Sequence, residues 1–124
     1  MTKKLYYSHS MRTYGMGKEQ EELKQIREKF PKHKIVNPVD MDFTNLNGQE
    51  IMNKCFKIIG KMDILVASEY SGYIGRGVTD EIQAAHEAGV ETLLLRDGKF
   101  FPTFVVVSVD HDDWAINYAR CTVK

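Results

Sequence analysis

Between Lys18 and Pro31 the apolar residues Leu23, Ile26 and Phe30 recur at spacings of three and four, with Glu, Lys and Gln on the other face. That period predicts an amphipathic helix which the proline ends. A fuller stripe of Ile51, Met52, Cys55, Ile58, Ile59 and Met62 predicts a second helix over residues 48–61, with Gly60 near its end. A third is predicted from about Thr79 to Ala88, stopped by Gly89. Short β-favouring runs separate these helices: Lys4 to Ser8, Lys34-Ile35-Val36, Asp63 to Ala67 and Glu91 to Leu95. Asp97-Gly98 reads as a turn, and Thr103 to Val109 as a fifth, β-branched strand. The tail reads two ways. Asp110 to Asp113 suits the cap of a short helix, whereas the alternation of Trp114, Ile116 and Tyr118 favours a closing antiparallel strand. Strands alternating with helices through short connections predict a mainly parallel sheet covered on both faces.

Length and composition narrow this picture. With 124 residues and no linker-like stretch, one domain over 1–124 is expected. Seventeen basic and seventeen acidic side chains cancel, so no global field recruits a nucleic acid polymer or an anionic membrane surface. The apolar runs are shorter than a bilayer span, and Met1-Thr2-Lys3-Lys4 leads into a strand pattern rather than a signal-peptide core, which predicts a soluble cytoplasmic protein. Cys55 and Cys121 have no C-x-x-C spacing and suit a reducing compartment. The scattered His9, His33, His86 and His111 give no metal-ligand pattern, so neither a metal nor another cofactor is predicted.

Candidate chemistry gathers where strands are expected to end. The buried run 62–68 is followed by Gly72, Gly75 and Gly77 and then by Thr79-Asp80-Glu81 at a predicted helix start. Open α/β sheets form their ligand crevices beyond the carboxyl ends of strands, so Glu81 is expected on the rim of such a crevice. Ser10 and Arg12, with Gly15 and Gly17 nearby, follow the first strand and suit a phosphate clamp. Gly75, Arg76 and Gly77 would add backbone donors and a second cation at a helix N-terminus, although no P-loop or G-x-G-x-x-G order is present. Tyr6 and Tyr7 must point to opposite faces of their strand, so at most one lines the crevice. Asp40 and Asp42 follow the second strand and are available as further acids or as turn residues.

Taken in order, Leu5-Tyr6-Tyr7, Ser10-Met11-Arg12, the strand from Asp63, and Gly77-Val78-Thr79-Asp80-Glu81 with Ala84-Ala85 resemble the nucleoside 2-deoxyribosyltransferase-like family, which includes 2'-deoxynucleoside 5'-phosphate N-hydrolases. The resemblance spans roughly residues 4 to 95. It implies a flavodoxin-like (Rossmann-like) α/β three-layer sandwich of about five mainly parallel strands, to which the alternation in the tail would add an antiparallel C-terminal strand. It further implies Glu81 as nucleophile, Tyr6 near the sugar, Ser10 and Arg12 on the phosphate, and a homodimer or larger homo-oligomer acting on a small nucleotide or nucleoside. Gly75, Arg76, Gly77 and Asp40 complete the expected binding set. Two positions depart from the family's pattern. Gly75 stands where it usually has serine or threonine, and Cys55 where it tends to place an aspartate that assists glycosidic cleavage. A thiol is a poor substitute as proton donor, because its pKa is higher.

Each of these residues also has a plainer reading. An acid in the first turn of a helix offsets the dipole, for about 0.3–1 kcal/mol, and a loop arginine is ordinarily solvated. The expected activity is cleavage or transfer at an N-glycosidic bond. The rivals are a nucleotide-binding or sequestering protein without turnover, and a protein-interaction domain on the same fold.

Overall fold

A computed structural model describes residues 2–10, 13–69, 74–102, 104–109 and 118–123, the last two segments as backbone only. The element order is β1 (Lys4–Ser8), α1 (Gly17–Lys29), β2 (Lys34–Val36), a single 3-10 turn (Pro38–Asp40), α2 (Gly48–Ile59), β3 (Ile64–Ser68), β4 (Ile74–Gly75), α3 (Arg76–Glu87), β5 (Glu91–Arg96), β6 (Lys99–Phe101), β7 (Phe104–Val109) and β8 (Tyr118–Val123).

The main sheet runs β2-β1-β3-β5-β6, parallel except for its last edge strand, and is flavodoxin-like in arrangement. The chain leaves β1 outward to β2 and returns on the other side as β3, so the strand order reverses between β1 and β3. A crevice opens at such a reversal, past the carboxyl ends of both strands. Ser8 and Ser68 are those ends.

Period-2 alternation divides the core into two layers. Leu5, Tyr7, Ile64, Val66, Leu93 and Leu95 face α1, where Ile26 is buried and Leu23 and Phe30 close the edge. Tyr6, Leu65, Ala67 and Leu94 face the other way, against Ile59 of α2 and Val78, Ile82 and Ala85 of α3. β3 is buried along its whole length, as a central parallel strand covered on both faces requires.

Local chemistry sets the element ends. Asn47 and Glu50 form a reciprocal capping box at the start of α2, with bonds of 2.8 and 3.3 Å. Gly89 takes φ 73° after α3, and Val90 N–H donates to the Ala85 carbonyl at 2.9 Å, a Schellman stop whose hydrophobic member, Val90, joins the core. Asp97 and Gly98, both at positive φ, form the two-residue turn between β5 and β6.

The structure departs from the sequence-based expectations in three places. The fifth strand of the main sheet is Lys99–Phe101, too short to show a period of its own. The run read as strand five instead pairs with β8, and β8 with β4, in a separate three-stranded sheet. Third, α3 begins at Arg76 rather than Thr79, since β4 ends at Gly75 and the chain turns helical at once. The alternating residues Trp114 and Ile116 lie outside the described residues. No helix among those described is long and apolar enough to cross a membrane.

Candidate functional site

β1 carries hydroxyls to both faces of the sheet, and each face presents a buried carboxylate to meet them. On the α3 face, Tyr6 and Ser8 point the same way, two residues apart. The Tyr6 hydroxyl donates to Glu81 Oε2, and the Ser8 hydroxyl donates to Glu81 Oε1 at 2.9 Å. Glu81 is 6% exposed. With α3 starting at Arg76, Glu81 lies in the second helical turn, and the first turn holds no acid. Compensation of the helix dipole therefore does not account for it. Side chains on a helix lean toward its N-terminus, which aims this one at the end of β1.

No lysine, arginine or histidine among the described residues pairs with Glu81. Burial raises its carboxyl from an ordinary 4.5 to about 7, against the opposing pull of the Tyr6 and Ser8 hydrogen bonds. Tyr6 is pushed far above the usual phenol range by burial and then by the Glu81 charge, so it stays a neutral donor. The Cys55 thiol is close enough to the Tyr6 hydroxyl and the Glu81 carboxylate to feel both, and is itself raised by burial. Tyr14, from the β1–α1 loop, is held up at about 12 by burial and then by the charge of Glu81, which places it near the same carboxylate.

Such a carboxylate leaves a stability signature whose sign is fixed. Between about pH 4.5 and 7 the unfolded chain has released this proton and the folded chain still holds it, so folding weakens as pH rises across that window and levels off above it. The expected loss is about 3 kcal/mol from this group alone. Denaturant unfolding at a series of pH values should show that slope in the parent protein and lack it in Glu81→Gln.

The α1 face carries a second network that the sequence reading placed in solvent. Tyr7 Oη donates to Glu22 Oε1 at 2.6 Å, Ser68 Oγ donates to the same oxygen at 2.5 Å, and Lys18 Nζ pairs with Oε2 at 3.1 Å. His9 stacks on the Tyr7 ring with centroids 3.8 Å apart, and its Nε2 meets Glu19 Oε2 at 2.6 Å. Its Nδ1 lies 3.1 Å from the Tyr7 carbonyl. Beyond Ser68, Glu69 receives a two-point bond from Arg96, at 2.6 and 3.0 Å.

The other predicted site residues are less concentrated. Ser10 is half-buried, and its carbonyl receives the Thr13 amide at 3.0 Å and the Thr13 hydroxyl at 2.8 Å. Gly75 caps α3 and accepts from the Thr79 hydroxyl at 3.0 Å, while Arg76 and Gly77 are exposed residues of the first helical turn rather than members of a loop. Asp40 is exposed at the end of the 3-10 turn. Asp42 accepts from the Thr44 amide and hydroxyl, bonds that hold its carboxyl below the usual range and make it a turn residue rather than a proton donor. Arg12 and Gly72 lie outside the described residues. No three of His, Cys, Asp and Glu among those described gather as a metal site.

Sequence reasoning missed Ser8, Tyr14, Glu19 and Glu22. A usable signal existed for the last two. Glu19, Glu22 and Ile26 are spaced three and four apart, so both acids lie on the inward face fixed by Ile26.

No protein-family model matches the chain, and no curated protein matches it either. Among solved structures, a 2-desoxiribosyltransferase from Leishmania mexicana shares the fold, with a TM-score of 0.53 and 17% identity over 76% of this chain. The chain spans 65% of that enzyme's length.

Proposed function

We propose that this protein cleaves or transfers at the N-glycosidic bond of a small deoxynucleoside or deoxynucleotide, with Glu81 as nucleophile. The observation that carries the reading is a buried carboxylate at the strand-order reversal, bonded on each oxygen by a neutral hydroxyl and paired with no cation among the described residues. A carboxylate locked to a lysine or arginine would be spent on structure. This one is poised near neutrality, where its ionised form is both populated and reactive. The fold shared with a 2-desoxiribosyltransferase supports the same substrate class.

In the first step an oxygen of Glu81 bonds to C1′ as the bond from C1′ to the base nitrogen breaks, and the base leaves with that electron pair. In the second, water or an acceptor base attacks C1′ and gives up a proton, equal to the one the departed base takes up, as Glu81 leaves as carboxylate. Two displacements at one carbon pass through oxocarbenium-like transition states and retain configuration, as in retaining glycosidases. Tyr6 holds Oε2 and fixes the carboxylate plane. Ser10, Arg12, Gly75, Arg76, Gly77 and Asp40 form the proposed binding set around the sugar and phosphate, and a homodimer or larger assembly in the cytoplasm is proposed with them.

A second reading is favoured by Cys55. The group beside Tyr6 is a thiol raised by burial, a weak acid for protonating a departing base, and this suits a protein that binds nucleotides without turning them over. Incubating the protein with deoxynucleoside monophosphates, and separately with deoxynucleosides plus an acceptor base, separates the two. Chromatography should show free base or an exchanged nucleoside. Saturable binding with neither product would establish the second reading, and absence of both binding and product would end the proposal.

A further inference from the structure

Ser8 is the member of the Glu81 group that neither the motifs nor the proposed chemistry accounts for. It is fully buried at the carboxyl end of β1, and among the described residues its side chain has one partner, Glu81 Oε1. The equivalent hydroxyl on β3, Ser68, points to the other face and serves Glu22. From this geometry we infer that Ser8 is a positioning residue for Glu81, its hydroxyl holding the carboxylate in one plane and in its ionised, attacking form.

Three observations lead there. Tyr6 and Ser8 grip different oxygens of one carboxylate from a single strand, so rotation about the last side-chain bond of Glu81 would break both contacts at once. Neither donor is a cation, and no cation among the described residues supplies what they would lack. A buried carboxylate without a positive partner favours its protonated form, and hydrogen-bond donors are then what keep it ionised. Removing one of two such donors is therefore felt in full, in a way that it would not be beside an arginine. Among the described residues the other titratable groups that act with this carboxylate are Cys55, Tyr14 and Asp80, of which the last is a like charge and pushes in the protonating direction.

The inference rests on the proposed role of Glu81 for its catalytic meaning but not for its test. Carboxyl titration followed by infrared difference spectroscopy on the whole protein, without substrate, reads Glu81 directly once its band is identified by its loss in Glu81→Gln. In Ser8→Ala the midpoint should move up by about one pH unit, since a charge-assisted hydrogen bond to the ionised form is lost. Ser68→Ala should leave it where it was. If product forms at all, the acid limb of kcat/KM should move by the same amount in Ser8→Ala, with KM little changed at high pH. An unshifted Glu81 band in a folded Ser8→Ala protein overturns the inference, as does an equal shift in Ser68→Ala. A shifted band with no product in any variant upholds the role of Ser8 and defeats the catalytic reading instead. Circular dichroism and thermal unfolding confirm that each variant is folded; should Ser8→Ala fail to fold, Ser8→Cys, which keeps volume and offers only a weak donor, carries the same expectation.

Discussion

Replacing Glu81 with glutamine is expected to abolish base release while leaving the fold intact. The amide matches the carboxylate in shape and can still accept from one hydroxyl, but it has no charge with which to attack C1′. Where a nucleophile acts within a concerted group, its removal lowers kcat by at least about a thousandfold. The measurement is single-turnover release of base, with mass spectrometry of the quenched parent enzyme to detect a deoxyribosyl adduct on the peptide holding Glu81. The variant should show no adduct and should bind the nucleotide as before. Its stability gives an independent check. Above pH 7 the parent keeps an ionised carboxylate in a site that favours the neutral form, so the glutamine variant should equal or exceed it there. Undiminished turnover in Glu81→Gln would remove this residue from the chemistry altogether.

Glu22→Ala should cost about 3 kcal/mol of folding stability, the larger effect on the architecture. Glu22 is 5% exposed and is the acceptor for Tyr7, Ser68 and Lys18. Truncation strands the buried Tyr7 hydroxyl without an acceptor and leaves Ser68 only a long 3.4 Å bond to the Glu69 carbonyl, and unsatisfied donors are penalised more heavily than paired ones are rewarded. Lys18 contributes little to the loss because its side chain is 42% exposed and returns to water. The control is the triple variant Glu22→Leu, Tyr7→Phe, Ser68→Ala. Removing donors together with the acceptor should recover most of the loss, since an apolar set of similar volume has nothing left to satisfy. Denaturant midpoints at unchanged slope would measure both effects. If Glu22→Ala falls by less than half of the expected amount, the network on the α1 face is not holding that helix to the sheet.

The contrast between these two acids shows how far the sequence could be read. The helical stripe of α2, the β-branched run of β3 and the Gly89 stop are local signals, and they fixed the parallel α/β architecture without reference to tertiary contacts. Glu81 was legible through its position after a glycine-rich stretch. Its surroundings were not, because the two hydroxyls that bond it lie 73 and 75 residues away along the chain. Glu22 was misread for a different reason. Charged residues on a helix are ordinarily solvated, and only the placement of α1 over the polar ends of β1 and β3 makes burial favourable. The short β6 strand and the separate hairpin sheet follow from pairing partners that no single-strand pattern encodes.

The alternation along β1 has a consequence for how the chain finds its fold. Tyr6 and Ser8 serve the carboxylate on one side, and Tyr7 the carboxylate on the other. Sliding this strand by one residue against its neighbours would turn every side chain over, taking Tyr6 and Ser8 away from Glu81 and Tyr7 away from Glu22. An aliphatic strand buried on both faces would lose little by such a slip, whereas here the paired grip of Tyr6 and Ser8 on Glu81 is undone while Glu22 keeps Ser68 and Lys18. The first strand thus carries a check on its own alignment, since only one threading sets a tyrosine and a serine on the two oxygens of Glu81.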